Sequence, residues 1–173
     1  MSANSAAKTA PQFDDRLVNA VNLVNAFQEG VVETLKIQCS CEVTADPYYV
    51  RDKDEYTDAD VAGVIGMTSS KFIGAVAITF PQEVYLEIMG KMFGEEFSTV
   101  TEEIEDGAGE LLNIIFGHAK SQLNANGHDL ERAIPNVVQG ETFELQHLTP
   151  TPAIVLTFHT EKGSFRLEIG ISA

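Results

Sequence analysis

The 173-residue chain has few basic residues, only two cysteines and no long apolar run, and each shortage excludes a class of protein. Lys and Arg total 11 against 26 Asp and Glu, and the resulting net charge of −15 opposes binding to nucleic acids and anionic membranes. Cys39 and Cys41 are too few for a disulfide framework or a four-ligand structural zinc site. We expect both thiols to be packed inside a cytoplasmic protein. No segment approaches the ~18 apolar residues of a membrane span.

Length and composition indicate one ordinary globular domain. A chain of this size buries roughly 70% of the surface that it exposes when unfolded. Its apolar fraction of 44% and charged fraction of 21% argue against disorder. Residues 1–12 contain one lysine and no apolar core, unlike a signal peptide or a membrane anchor. We predict a disordered tail over residues 1–12 and one folded domain over residues 13–173.

Three segments have the apolar periodicity of helices. The first covers residues 14–36, and we expect close packing at Gly30, which interrupts it. The second covers residues 81–94, where a proline suits the first helical position and a glycine suits the end. The third covers residues 99–126, and Thr99-x-x-Glu102 has the form of a capping box at its start.

Alternating, β-rich segments lie between the helices. They predict a strand at 37–43, an exposed charged connection at 46–60 and a hairpin of strands at 61–67 and 71–80. Residues 135–140 then lead into a strand-like region, and a closing hairpin follows at 153–160 and 164–171. Hairpin-linked strands between helices are typical of an antiparallel sheet covered by helices. The predicted fold class is therefore α+β: a single domain with an antiparallel β-sheet and long helices packed on it.

The third helix has an apolar and a polar face when its residues are placed at ~100° steps. The apolar face carries Ala108, Leu111, Leu112, Ile115, Ala119 and Leu123. The polar face carries Asp106, Glu110, Asn113, Gly117, Lys120 and Asn124. Gly109 and Gly117 leave room for another backbone or a long side chain to approach. Glu110 and Asn113, three residues apart, combine a carboxylate that can bind a lysine with an amide that can orient a water. From these residues alone, a functional site and an ordinary solvated face both remain open.

The sequence around this pair resembles a known family. Asp106-Gly-Ala-Gly-Glu110-Leu-Leu-Asn113 fits the Asp/Ser-x-x-x-Glu-x-x-Asn pattern of the CheC/CheX/FliY phosphatases of bacterial chemotaxis. The longer string GAGELLNIIFGHAKSQL resembles the active-site helix of CheX in particular. LVNAFQEGVVETL in the first helix and PNVVQG at 135–140 resemble further CheX segments, in the same order. The resemblance extends from about Leu23 to the end of the chain.

The resemblance implies hydrolysis of the phospho-aspartate of a CheY-type response regulator in chemotaxis signalling. In that family the acidic residue binds the active-site lysine of the regulator and the asparagine positions the attacking water. Carried over, Glu110 docks to the regulator and Asn113 orients the water. Asp106 is a supporting motif position or, equally, a carboxylate that suits a helix start. The chain itself needs no cofactor, because an acyl phosphate is already activated and its Mg²⁺ is held by the regulator.

The resemblance also implies a homodimer with one site in each chain. The edge of the alternating closing strands is where we expect a second chain to pair. CheC and FliY hold two such motifs, whereas Glu29 and Glu33 in the first helix have no asparagine three residues later, which favours CheX. Two other functions remain open: a non-catalytic dimeric module that binds a response regulator, and a structural component of a flagellar switch related to FliM or FliN.

Overall fold

A computed structural model describes residues 12–51, 54–55, 58–70, 72–132, 136–144 and 153–172. The predicted tail at 1–12 lies outside the described residues except for Gln12, which begins the first helix. In chain order the described elements are α1 (Gln12–Cys39), β1 (Thr44–Ala45), β2 (Tyr49–Arg51), β3 (Asp58–Thr68), β4 (Ile73–Phe80), α2 (Gln82–Phe93), α3 (Gly107–Ala125), β5 (Glu131–Arg132), β6 (Asn136–Glu144), β7 (Ala153–His159) and β8 (Ser164–Ser172).

The strands form one antiparallel sheet, and the three helices pack on one of its faces. The strand order is β1-β7-β8-β4-β3-β5, with β2 also pairing with β7 and β6 also pairing with β3. Both predicted hairpins are present: Val61 lies opposite Phe80 in β3–β4, and Phe158 lies opposite Phe165 in β7–β8. The predicted α+β fold class is confirmed.

The hydrophobic core lies between the sheet and the helices. Phe165 stacks against Phe80 and Phe158, with ring centroids 5.1 and 5.2 Å apart. Phe27 of α1 meets Phe116 of α3 edge to face at 5.9 Å. The predicted apolar face of the third helix is confirmed, because all of its members are buried: Ala108, Leu111, Leu112, Ile115, Ala119 and Leu123.

Two glycines allow α3 to approach its neighbours closely. A Cβ at Gly30 of α1 would lie 3.0 Å from the backbone oxygen of Ile115, so the close packing expected there is confirmed. A Cβ at Gly63 of β3 would lie 2.9 Å from the backbone oxygen of Ala108. Cβ atoms essentially never sit below 3.0 Å, so a side chain at Gly63 would push the start of α3 away from the sheet. Glycine at these two positions therefore determines how α3 is seated.

The strand predicted at residues 37–43 is wrong, because α1 continues to Cys39. Leu35 and Cys39, four residues apart, are both buried, so the apolar stripe of the helix extends through the cysteine. Ser40 then takes a left-handed conformation with φ of 48°, and the N–H of Cys41 donates to the backbone oxygen of Leu35 at 3.0 Å. Both thiols are free and buried, as predicted. Burial, and then the charge of Cys41, raise the pKa of Cys39 to about 12.

The connection predicted at 46–60 is also wrong in part, because it contributes β2 and the start of β3 to the sheet. Arg51 of β2 is only 2% exposed, and its Nη2 lies 3.0 Å from Oε2 of the buried Glu168 in β8. Its Nη1 also donates to the backbone oxygen of Glu55 at 3.0 Å. A charged side chain is tolerated in an interior when it is paired in this way, so the charge of the segment did not indicate an exposed loop.

The closing strands do not provide the free edge that we expected for a second chain. β8 lies between β4 and β7, and β7 pairs with β8 on one side and with β1 and β2 on the other. Strands β1 and β2 thus cover the edge of β7 that the closing hairpin alone would expose. This route to a dimer is wrong, while the homodimer itself stays a prediction.

Candidate functional site

The three predicted site residues lie together at the N-terminal end of α3. Asp106 is the N-cap residue, Glu110 is in the first turn and Asn113 follows in the second. All three line one open cleft of about 200 Å³, which Gly109 and Val137 complete. Asp106 and Glu110 are exposed, and Asn113 is half-buried. The carboxylate and the amide of the predicted pair therefore face the same accessible space.

Val137 brings a second quoted segment into the site. It belongs to β6, whose residues 136–140 are the described part of PNVVQG, and it lies opposite Gly63 of β3. Gly63 in turn contacts the backbone of α3 at Ala108. Pairing of β6 with β3 therefore places the wall of the cleft beside the helix that carries its polar residues. This role was not predictable from the sequence, because no local pattern in PNVVQG shows which strand it joins.

The hydroxyl of Tyr85 forms hydrogen bonds to the backbone at the start of α3. Tyr85 is a fully buried residue of α2, and its hydroxyl donates to the backbone oxygen of Ile104 and accepts the N–H of Ala108 at 3.1 Å. The first N–H groups of a helix have no partner within the helix. The side chain of Asp106 makes no capping hydrogen bond among the described residues, so the tyrosine supplies an acceptor that a capping residue would otherwise offer.

The environment of Tyr85 keeps its hydroxyl protonated. Burial raises the pKa of Tyr85 to about 12, with a smaller increase from Glu110 and Asp106, against the N–H groups of Ala108 and Gly107, which lower it. The group can therefore donate and accept at once under ordinary conditions. Tyr85 lies within the second helix predicted from the apolar periodicity, which gave no role for its hydroxyl. The available signal was that a buried tyrosine hydroxyl usually needs a hydrogen-bond partner.

The capping box predicted at Thr99 is wrong, because α3 begins eight residues later at Gly107. The intervening residues form turns in which the N–H of Ile104 donates to the oxygen of Thr101, and that of Gly107 to the oxygen of Ile104, each at 3.1 Å. Ile104 is fully buried, so core packing and the tyrosine contact hold this turn apart from the helix. Glu110 consequently lies in the first turn, where the helix dipole favours a carboxylate.

We expect Tyr85→Phe to lower the free energy of unfolding by about 1–3 kcal/mol, because it leaves two buried backbone groups without their shared partner. Denaturant unfolding at fixed pH measures the change. Tyr48→Phe is the matched control, since Tyr48 is 45% exposed, and its effect should stay within about 0.5 kcal/mol. An equal effect of the two substitutions would contradict a capping role for Tyr85.

The remaining polar residues of α3 are separate from the cleft. Asn124 accepts the N–H of Leu130 at 2.6 Å, which fastens the chain after the helix. Gln122 donates to Glu29 of α1 at 2.6 Å, and Glu29 and Glu33 line a different groove between the two helices. The polar face thus divides into one end that forms the cleft and another that makes structural contacts.

Two kinds of site are absent from the part of the chain that the structure describes. No group of three or more His, Cys, Asp or Glu residues is arranged to hold a metal ion. No described helix combines the length and the apolar character needed to cross a membrane. The described lining of the cleft also contains no serine, cysteine, histidine or lysine. The cleft can therefore bind a cation through Glu110 and orient a small polar molecule through Asn113, but its described side chains offer no nucleophile of those types.

Comparisons with known proteins agree with the fold. The family model described as chemotaxis phosphatase CheX matches residues 61–159, which include every cleft residue. A CheC-like superfamily protein from Shewanella sp. PV-4 is 31% identical, with a TM-score of 0.81 over 88% of this chain and 99% of that one. Chemotaxis protein CheX from Vibrio vulnificus is 33% identical, with a TM-score of 0.80 over 87% of this chain and 99% of that one.

A more distant structure has the same fold. A chain of the CheX–CheY–BeF3–Mg²⁺ complex from Borrelia burgdorferi is 19% identical, with a TM-score of 0.72 over 87% of this chain and 98% of that one. Among curated proteins no significant match is found. The family model covers more than half of the chain, and the Shewanella sp. PV-4 and Vibrio vulnificus structures both exceed 30% identity over most of it. The chain therefore belongs to the CheX family of chemotaxis phosphatases.

Proposed function

We propose that the protein hydrolyses the phospho-aspartate of a CheY-type response regulator in the cytoplasm. The observation that carries the proposal is the open cleft at the start of α3, where the Glu110 carboxylate and the Asn113 amide are accessible side by side. Glu110 binds a lysine of the regulator, and Asn113 orients the attacking water. Asp106 supports the motif from the N-cap position.

The proposed reaction depends on the position of the attacking water more than on reactive side chains. The oxygen of the water attacks phosphorus, the bond from phosphorus to the aspartyl oxygen breaks, and the regulator recovers its free carboxylate. The protons of the water end on inorganic phosphate and solvent. Phosphoryl transfer proceeds through a loose transition state, so an oriented water contributes more than a strong base does. Asn113 can accept one hydrogen of the water through Oδ1 and thereby direct a lone pair toward phosphorus.

The metal ion belongs to the partner in this proposal. Mg²⁺ held by the regulator stabilises charge on the phosphoryl oxygens, and this chain contributes the carboxylate and the amide. A relative of the same fold occurs in one complex with CheY, BeF3 and Mg²⁺, which supports a receiver domain as the partner. The non-catalytic module would use the same face, and turnover of the regulator distinguishes the two functions.

A turnover experiment separates hydrolysis from simple capture. Receiver domains are phosphorylated with a small-molecule phosphodonor, freed of it, and mixed in Mg²⁺ buffer with a catalytic amount of the protein. We expect the rate of phosphate release to rise in proportion to protein concentration, with many regulators dephosphorylated by each molecule. p-Nitrophenyl phosphate serves as the control and should not be hydrolysed, because the cleft positions water only for a docked regulator. Release that stops at one equivalent, or no acceleration with any receiver, would contradict the proposal.

A further inference from the structure

The surface of α3 continues one turn beyond the cleft in two residues that the proposed chemistry does not use. Ile114 is 38% exposed and is the large apolar side chain of α3 that reaches the surface among the described residues. Gly117 is exposed as well. At about 100° per residue, Glu110, Asn113, Ile114 and Gly117 fall within an arc of about 100°, so they form one continuous strip, called here the docking strip.

Packing within the chain does not explain Gly117. A Cβ at Gly30 or Gly63 would press on the backbone of α3, whereas a Cβ at Gly117 would meet none of the described atoms within 4 Å. Gly117 is also not among the described glycines with positive φ, so its backbone does not require glycine. Other residues favour a helix interior over glycine. The described fold therefore does not require glycine at this position, and the missing side chain leaves the helix surface open.

The geometry of the proposed reaction brings a partner onto this same turn. A hydrogen bond from the amide to the water spans about 3 Å, and a reactive water lies about 3–3.5 Å from its target. Phosphorus thus lies about 6 Å from the amide of Asn113. Gly117 is four residues, or about 6 Å, further along the helix axis. A receiver domain is several times wider than this spacing, so we expect one that holds a phosphoryl group near Asn113 to extend over the next turn of α3.

We propose that Ile114 and Gly117 dock the receiver domain whose phospho-aspartate is hydrolysed, an inference that rests on the proposed function. Ile114 supplies an apolar contact outside the charged pairing at Glu110. Gly117 supplies clearance, so that the backbone of the receiver can lie directly against α3. Neither residue touches the water, so both act on the formation of the complex and not on the hydrolytic step.

The test compares Gly117→Gln with the wild type in three measurements. The dissociation constant for a beryllofluoride-treated receiver should rise at least about tenfold, because a long side chain holds the partner off the helix. The kcat at saturating phosphorylated receiver should stay within about twofold, since the water is still oriented by Asn113. The Tm should rise by about 1–3 °C, because glutamine favours a helix more than glycine does. A purely structural role cannot produce weaker binding together with a more stable fold.

Asn25→Gln is the matched control. Asn25 is exposed on α1, one turn before Glu29, whose partner Gln122 is near the opposite end of α3. The same new side chain there should leave the dissociation constant unchanged. Ile114→Ala should weaken binding by about three- to tenfold, as expected for the loss of a buried aliphatic contact.

The outcomes distinguish the docking strip from the proposed function. If the wild type turns over its receiver but Gly117→Gln binds it equally well, the docking role of Ile114 and Gly117 is overturned and the proposed function stands. If Gly117→Gln instead changes only the oligomeric state, the strip contacts a second copy of this chain and the inference is likewise overturned. If binding depends on Gly117 without any turnover, the strip is supported and hydrolysis is overturned. Failure of every receiver to bind overturns both.

Discussion

Asn113→Ala should reduce kcat for phosphate release by at least about 100-fold, while the dissociation constant for the receiver stays within severalfold. In the proposed mechanism alanine removes the amide that holds the water in line with phosphorus. Asn113 lines an open cleft, so its truncation should leave the packed face of α3 untouched. Single-turnover measurements with excess protein isolate the hydrolytic step, and a separate titration with a beryllofluoride-treated receiver gives the affinity.

Asn113→Gln provides a sharper version of the same experiment. It keeps the amide but moves it outward by one methylene, and a displacement of about 1 Å can cost about 100-fold in rate. We expect a rate well below that of the wild type despite the identical functional group. Thermal unfolding of both variants near the wild-type Tm serves as the control for folding. Full activity of Asn113→Ala would show that the water is oriented by some other group.

Glu110→Gln should weaken the complex with the phosphorylated receiver by about 10- to 100-fold, because a charge-assisted hydrogen bond contributes about 1.5–3 kcal/mol. The Glu110 carboxylate lines the cleft and is exposed, whereas Asn113 is half-buried. The loss should appear in KM and in the dissociation constant more than in kcat at saturation. The affinity of the wild type should also fall with added salt more steeply than that of the variant.

The net charge of −15 makes a control for general electrostatics necessary. Glu33→Gln removes one exposed carboxylate from α1, in a groove separate from the cleft. It should leave the dissociation constant within about twofold at 0.15 M salt, where charges beyond about 8 Å are largely screened. Equal effects of Glu33→Gln and Glu110→Gln would mean that Glu110 acts through overall charge and makes no specific contact.

Features that depend on short-range periodicity were predictable from the sequence. The buried face of α3 and the two hairpins follow from spacings of three to four and of two residues, which local backbone geometry dictates. The pair Glu110 and Asn113 was placed on one accessible side for the same reason. The end of α2 was predicted as well, since Gly94 takes the left-handed conformation, with φ of 71°, that favours glycine.

Features that depend on partners distant in the sequence were not predictable. The start of α3 is held by Tyr85 of another helix, and this contact prevailed over the capping pattern at Thr99. Arg51 joins the sheet because Glu168, far along the chain, pairs with it. Val137 reaches the cleft through the register of β6 on β3, which side-chain alternation in a single strand cannot specify.

Both sides of the cleft contact the same strand, β3. Through Gly63 it contacts the backbone of α3, and at the same residue it pairs with Val137 of β6. The gap between the polar helix and its opposite wall is thus set by one point of a strand that is paired on both flanks. A sliding movement of the helices over the sheet would first have to break the contact between Gly63 and the backbone of α3. We therefore expect the width of the cleft to vary less than the spacing of parts of the molecule that lack such a contact.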